Sequence, residues 1–248
     1  MKKILITNDD GIFGLGLKPL VKEISSFANV IVVVPDKERS AVSHSLTLQE
    51  PVRVRKIEKN VYILNGTPAD CVRFGIISLC KNKVDLVISG INFGANLGQD
   101  VIYSGTVGAA REAFFMGRSS FAISLVSKIG KNFSVAAKIA VKVAKFILKN
   151  KFYKKPLFLN INVPDLPLEK IRGIEITSLG KRIYEDTVHY RKDPFGLPYY
   201  WLKSRLVYGR DIPGTDVSAV KNKKISITPL HTDNTDFLMI EELKKYGF

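Results

Sequence analysis

Cysteine, acidic charge and unbroken apolar sequence are all in short supply along these 248 residues, and each shortage closes off a class of protein. Only two cysteines occur, Cys71 and Cys80. Both fall in a helical pattern with no neighbouring histidine, so neither a disulfide nor a zinc site is expected, and buried free thiols fit a reducing compartment. No apolar run reaches the length of a membrane span, because charged, polar or small residues interrupt every strand-like stretch. The opening Met1-Lys2-Lys3-Ile4-Leu5-Ile6-Thr7 is basic and then apolar, as a signal peptide would be. Its apolar part is far too short and runs straight into Asn8-Asp9-Asp10, so it reads as a first strand; a cytoplasmic location with no membrane partner is expected.

Asp and Glu number 23 against 38 Lys and Arg, a net charge of +15. A nucleic-acid interface is one source of such an excess. The lysines are scattered over helical stretches with no run of five or more, so no nucleic-acid partner is expected. The positive field still draws in small phosphorylated molecules. Internal repeats and low-complexity segments are missing too. With 46% hydrophobic and 25% charged residues, the composition is that of a folded globular chain.

Residues 2–7 read as a strand, followed by a polar, Gly-rich turn and a helical pattern from Leu15 to about Phe27. The β-branched run 29–34, closed by Pro35, suits a strand buried on both faces. Residues 46–64 alternate apolar and polar, as in a hairpin-like excursion, and a helix from Pro68 to Cys80 follows with proline in its first turn. Then come strand 84–89, a Gly- and Asn-rich stretch 90–108, helix 106–117, strand 120–126, helix 133–149 and strand 157–163. Strands alternating with helices predict a Rossmann-like three-layer α/β/α sandwich on a mainly parallel sheet. We place that domain at 1–180 and a β-rich extension at 181–248. The extension holds Tyr184, Tyr190, Phe195, Tyr199, Tyr200, Trp201 and Tyr208 without helical period, and a partner subunit is the natural cover for so many aromatics.

Loops after the C-terminal ends of parallel strands form the ligand crevice of an open α/β sheet, and three of them are unusually polar here. The first is Asn8-Asp9-Asp10-Gly11. Adjacent carboxylates repel unless a hard cation lies between them, although an Asx-turn or a helix cap would use the same residue types. The second, 35–45, brings Asp36, Arg39, Ser40, Ser43 and His44 to the same edge; its hydroxyls suit helix caps as well as ligands, and His44 suits a base or a plain surface position. The third contains Asn92 and Asn96, then Ser104-Gly105-Thr106 at the start of a helix, where free N–H groups and the dipole favour an anion. No G-x-G-x-x-G follows the first strand, which excludes a dinucleotide-dependent oxidoreductase. A binding module without turnover would have no use for a carboxylate pair facing its anion.

The motifs NDDG at 8–11, PDKERSAVSHSLTL at 35–48, NGTPADCV at 65–72, SGINFGANLGQDVIYSGTVGAAREA at 89–113 and ITPLHTD at 227–233 resemble the stationary-phase survival protein SurE family. They are long, ordered and spread over nearly the whole chain. The resemblance implies a Rossmann-like fold and a 5′/3′-nucleotidase that hydrolyses nucleoside monophosphates, with short polyphosphate left open as a further substrate. It implies one divalent metal ion per subunit on Asp9, Asp10, Ser40 and Asn92, and a phosphate held by Asn96, Ser104, Gly105 and Thr106. It further implies an arm exchanged between subunits, in a homodimer or homotetramer. The all-oxygen set suits Mg²⁺ or Mn²⁺, and a water made acidic by the metal is the expected attacking group, with Asp9 as ligand and proton acceptor. A phospho-aspartate route is the rival, against which stands the order N-D-D-G in place of D-x-D. Where the family often has Ala-Pro-Gly after NDDG, this chain has Phe13-Gly14-Leu15-Gly16.

Overall fold

The computed structural model describes residues 1–150 and 156–247. The chain runs through β1 (Lys3–Thr7), α1 (Leu17–Ser25), β2 (Asn29–Pro35), β3 (Val54–Glu58), β4 (Val61–Leu64), α2 (Pro68–Phe74), β5 (Leu86–Phe93), α3 (Asp100–Tyr103) and α4 (Gly105–Phe115). It continues through β6 (Ser120–Val126), α5 (Phe133–Asn150), β7 (Phe158–Pro164), β8 (Ile174–Ile176), β9 (Arg182–Lys192), β10 (Pro198–Gly209), α6 (Asp216–Lys221), β11 (Ile225–Pro229) and α7 (Phe237–Lys244). Nine strands form one sheet in the order β3-β4-β2-β1-β5-β6-β7-β11-β8. From β4 to β7 every pairing is parallel; β3 and β11 run against their neighbours β4 and β7. This is the expected Rossmann-like α/β sandwich.

Period-two alternation in the buried strands builds both faces. Ile4, Ile6, Val32, Ile88 and Ile123 point to the side covered by α1 and α5. Leu5, Val33 and Val87 point to the other, under Cys71 and Val72 of α2 and Ala109 and Ala113 of α4. Parallel strands covered on both faces have to be apolar nearly throughout, which is why 29–34 reads as an unbroken run. Helix α2 starts on a capping box, with Thr67 accepting from the Asp70 N–H and Asp70 accepting from the Thr67 N–H, and with Pro68 at its first position. At Gly75 it widens into a π-turn, Gly75–Leu79, where a Cβ would come within 2.7 Å of a Leu5 methyl. Cys71 and Cys80 are free and buried. No helix among the described residues is long and apolar enough to cross a membrane.

The 181–248 segment contributes to two structures. Strand β11 is built into the central sheet between β7 and β8, whereas β9 and β10 form a separate antiparallel hairpin. The strand order reverses at β1: the chain leaves it toward β2, returns, and continues from β5 on its other side. Loops leaving β1 and β5 therefore part from each other and open a crevice between them. Gly16, which caps α1, packs directly on β5, since a Cβ there would sit 2.1 Å from the Ile91 carbonyl oxygen. The nearest atom it would meet is backbone and cannot swing aside, so replacing Gly16 with Ala is expected to destabilise the fold by about 1–3 kcal/mol. Urea unfolding of the variant against the parent chain measures this.

Candidate active site

Directly after β1, Asn8 makes the turn. Its side-chain amide donates to the Gly11 carbonyl (2.8 Å) and its oxygen accepts from the Gly11 N–H (3.1 Å), while Gly11 takes a positive φ of 76°. The Asx-turn thus belongs to Asn8, and the two aspartates that follow are released from turn duty. Asp9 is buried against the start of α4. One of its carboxylate oxygens accepts from the Thr106 N–H at 3.1 Å, and the other accepts a short hydrogen bond from the Thr106 hydroxyl. Burial pushes the Asp9 carboxyl up, with the Thr106 contacts pulling the other way. Asp10 is raised from 3.8 to about 6, first by burial and then by the charge of Asp9. One oxygen of Asp10 is buried with no hydrogen-bond partner among the described residues.

The other two loops close round this pair. Arg39 donates its main-chain N–H to the Asp9 carbonyl (2.8 Å), which draws the loop after β2 over the site. Ser40 lies at the rim, its hydroxyl donating to Glu38 at 2.5 Å. From the end of β5, Asn92 donates its side-chain NH₂ to the Gly94 carbonyl (3.0 Å), so the amide nitrogen is committed and the oxygen is the end left for a ligand. Asn96 is buried, its amide nitrogen donating to the Ser124 hydroxyl (2.8 Å). Its main chain is gripped from β7: Asn162 accepts from the Asn96 N–H at 3.0 Å, and Asn160 and Asn162 both donate to the Asn96 carbonyl.

Helix α4 begins here because its first residues are small. Ser104 is the N-cap, accepting from the Val107 N–H at 3.1 Å; acting as acceptor leaves its own proton free to donate. A Cβ on Gly105 would lie 3.1 Å from the Asp9 Cβ, and one on Gly108 would lie 2.4 Å from the Ser43 carbonyl. At Gly108 only glycine fits against the Ser43 main chain, and at Gly105 a Cβ would crowd Asp9 and Val42. Together these parts enclose a cleft of about 620 Å³. Asp9, Asp10, Ser40, Asn92, Asn96 and Ser104 all line it; Gly105 and Thr106 sit one layer behind, packed on Asp9.

His44 is elsewhere. Its Nε2 pairs with Glu112 at 2.7 Å and its ring stacks on Phe115, away from the cleft. Several lining residues carried no signal in the sequence. Glu38 adds a third carboxylate, and its charge also raises Asp9 and Asp10. Tyr184, Asp186 and Ser204 reach the cleft from the hairpin, and Asn160 and Asn162 act from beneath it. The Asn residues repeat at period two in a strand otherwise apolar, the one pattern that could have drawn attention to them.

Among the described residues no three His, Cys, Asp or Glu side chains are grouped to hold a metal. A cation here would rest on two carboxylates completed by neutral oxygens, and that donor set is hard and all-oxygen. The orphaned Asp10 oxygen and the elevation of Asp10 by the charges of Asp9 and Glu38 fit a missing positive charge at this point.

A family model described as Survival protein SurE matches residues 4–186. The chain is 49% identical over 245 residues to a 5′-nucleotidase SurE of Geobacter sp. (strain M21), covering 98% of each chain. It is 44% identical over 244 residues to a 5′-nucleotidase SurE of Nitrosomonas eutropha, again covering 98% of each. A crystal structure of the SurE protein from Aquifex aeolicus superposes with a TM-score of 0.87 at 40% identity, covering 99% of this chain and 100% of that one.

A carboxyl raised in the folded state gives stability that is present below its unfolded value and is lost as pH climbs through the folded one, here between 3.8 and about 6. In chelated protein, Asp10→Asn is therefore expected to raise the melting temperature at about pH 7.5, with the gain shrinking as pH falls below about 6. Thermal melts across that range, in the presence of EDTA, measure it.

Proposed function

Because the chain belongs to the SurE family, we propose that it is a metal-dependent phosphatase that hydrolyses nucleoside 5′- and 3′-monophosphates to nucleoside and phosphate. The observation that carries this reading is the Asp9–Asp10 pair set at the reversal of strand order, with Asp9 buried against the N-terminus of α4 and Asp10 half-buried beside it. Asp9, Asp10, Ser40 and Asn92 supply the oxygens for one divalent ion, Mg²⁺ or Mn²⁺. Such an ion neutralises the pair, acidifies water and offsets charge growing on the phosphoryl group. Asn96 and the Ser104 hydroxyl would face the phosphate, with Gly105 behind them at the start of α4, where the helix favours negative charge. Thr106 joins the site by fixing both oxygens of Asp9.

Water attacks phosphorus in line, one P–O bond forms, and the ester P–O bond breaks. Asp9 takes the proton of the attacking water, and the nucleoside oxygen leaves as an alcohol after gaining a proton from solvent. The two Thr106 contacts hold the Asp9 carboxylate in place for this role. Replacing Asp9 with Asn keeps the shape and removes the charge, so kcat is expected to fall by about a hundredfold or more with the fold retained. Exhaustive chelation is expected to abolish phosphate release from AMP, and Mg²⁺ or Mn²⁺ to restore it; full activity in EDTA would remove the cation from the mechanism.

We also propose a homodimer or homotetramer. Trp201 is 64% exposed, Tyr200 63% and Phe195 89% on the hairpin, and α7 buries none of its residues although it carries Phe237, Leu238, Met239 and Ile240. Exposed apolar surface of this extent is what subunit interfaces cover. Light scattering is expected to give two or four times the chain mass of 27.7 kDa, and a monomer at micromolar concentration would contradict it.

A further inference from the structure

The cleft has a second end. Side chains of one face of the hairpin alternate inward, and Tyr184, Asp186 and Ser204 of that face line the same cavity as Asp9 and Asp10. The base of the hairpin is fastened to the loop before α3 and to its first turn. The Tyr184 hydroxyl donates to both oxygens of Asp100 (2.8 and 2.9 Å), Arg182 forms an ion pair with the same carboxylate, and the Arg182 N–H donates to the Gln99 side chain (3.0 Å). The Arg182 guanidinium lies 5.5 Å from the centre of the Tyr184 ring. An aromatic ring held by both its hydroxyl and its face cannot turn away, and it presents a preorganised apolar surface to the cleft.

One residue pair further out, Ser204 faces Asp186 across the strands and donates its hydroxyl to the Asp186 carboxylate at 2.6 Å. Asp100 is neutralised by Arg182, but Asp186 has no basic partner among the described residues. An unneutralised carboxylate repels phosphate and accepts readily from hydroxyl groups. The cleft is thus divided by chemistry, with an anion end at the start of α4 and a hydroxyl-and-aromatic end at the hairpin.

On the phosphatase reading given above, we propose that Tyr184, Asp186 and Ser204 form the nucleoside subsite: the base stacks on Tyr184 and ribose hydroxyls donate to Asp186 beside Ser204. The same arrangement works against linear polyphosphate, whose second and third phosphates would have to run past Asp186. The hairpin therefore acts in substrate choice as well as presenting an apolar outer surface.

Steady-state kinetics on AMP, glycerol 2-phosphate and tripolyphosphate test this with the intact protein and saturating Mn²⁺. Tyr184→Leu is expected to raise KM for AMP by about tenfold with kcat within about twofold, so that the ratio of kcat/KM for AMP over glycerol 2-phosphate falls by a similar factor. Tyr184→Phe, which keeps the ring and loses only its anchor, is expected to fall between the two. Asp186→Asn is expected to raise kcat/KM for tripolyphosphate relative to AMP. Equal losses on AMP and glycerol 2-phosphate in Tyr184→Leu, together with an unchanged tripolyphosphate ratio in Asp186→Asn, would overturn the subsite. A parent chain that hydrolyses none of the three would overturn the phosphatase reading itself.

Discussion

Two carboxylates adjacent in sequence, one buried and one half-buried, repel each other and lose hydration, yet the fold brings them together at the place where its strand order reverses. Much of the surrounding structure answers to that repulsion. Helix α4 offers its N-terminus and the Thr106 hydroxyl to Asp9. The approach needs glycine at 105 and 108, because a Cβ at either would meet Asp9 or the Ser43 carbonyl. Among the described residues one oxygen of Asp10 is left without a hydrogen-bond partner, and on the function proposed above that oxygen is where a cation would bind.

The loops around the pair are held by contacts of their own, and these show how a mobile class of structure is made rigid. The segment after β2 is bound at Arg39 to Asp9 and at Ser43 to Tyr103, both through the main chain at 2.8 Å. Thr47 is bound to Asp70 through its N–H and its hydroxyl. On the other side Asp216, fully buried at the start of α6, accepts from the main-chain N–H groups of Gly98, Gly180 and Val217. That carboxylate ties the loop after β5, the approach to the hairpin and a helix cap into one unit. Preorganisation of this kind lets backbone and side-chain dipoles meet a developing charge without first having to move.

The architecture was legible because buried parallel strands write themselves as apolar runs and their helices as 3.6-residue periods. Strand β5 outran its expected end at Ser89, since pairing with β6 continues through Asn92 and Phe93 and no local pattern announces that. Asp9, Asp10, Asn92 and Asn96, which line the cleft, stood out in sequence because they fall in polar stretches at or just past strand ends. Thr106 was legible as a helix start, but not as the partner of Asp9, a contact between residues 97 positions apart. Glu38, Asp186 and Ser204 were silent for the same reason: an exposed charged or hydroxyl residue in a loop or hairpin looks like any solvated residue until the fold shows what it faces. For His44 the sequence left a base and a plain surface position open, and the structure pairs it with Glu112 away from the cleft.

The central claim is that the carboxylate pair exists to hold one divalent ion, and calorimetric titration of Mn²⁺ into metal-free protein without substrate tests it directly. The account predicts one ion per chain, with protons released on binding near pH 5.5 and few near about pH 7.5, because Asp10 titrates at about 6. Asp10→Asn is predicted to weaken binding and remove that proton release. Absence of binding, or binding indifferent to Asp10, would contradict the account.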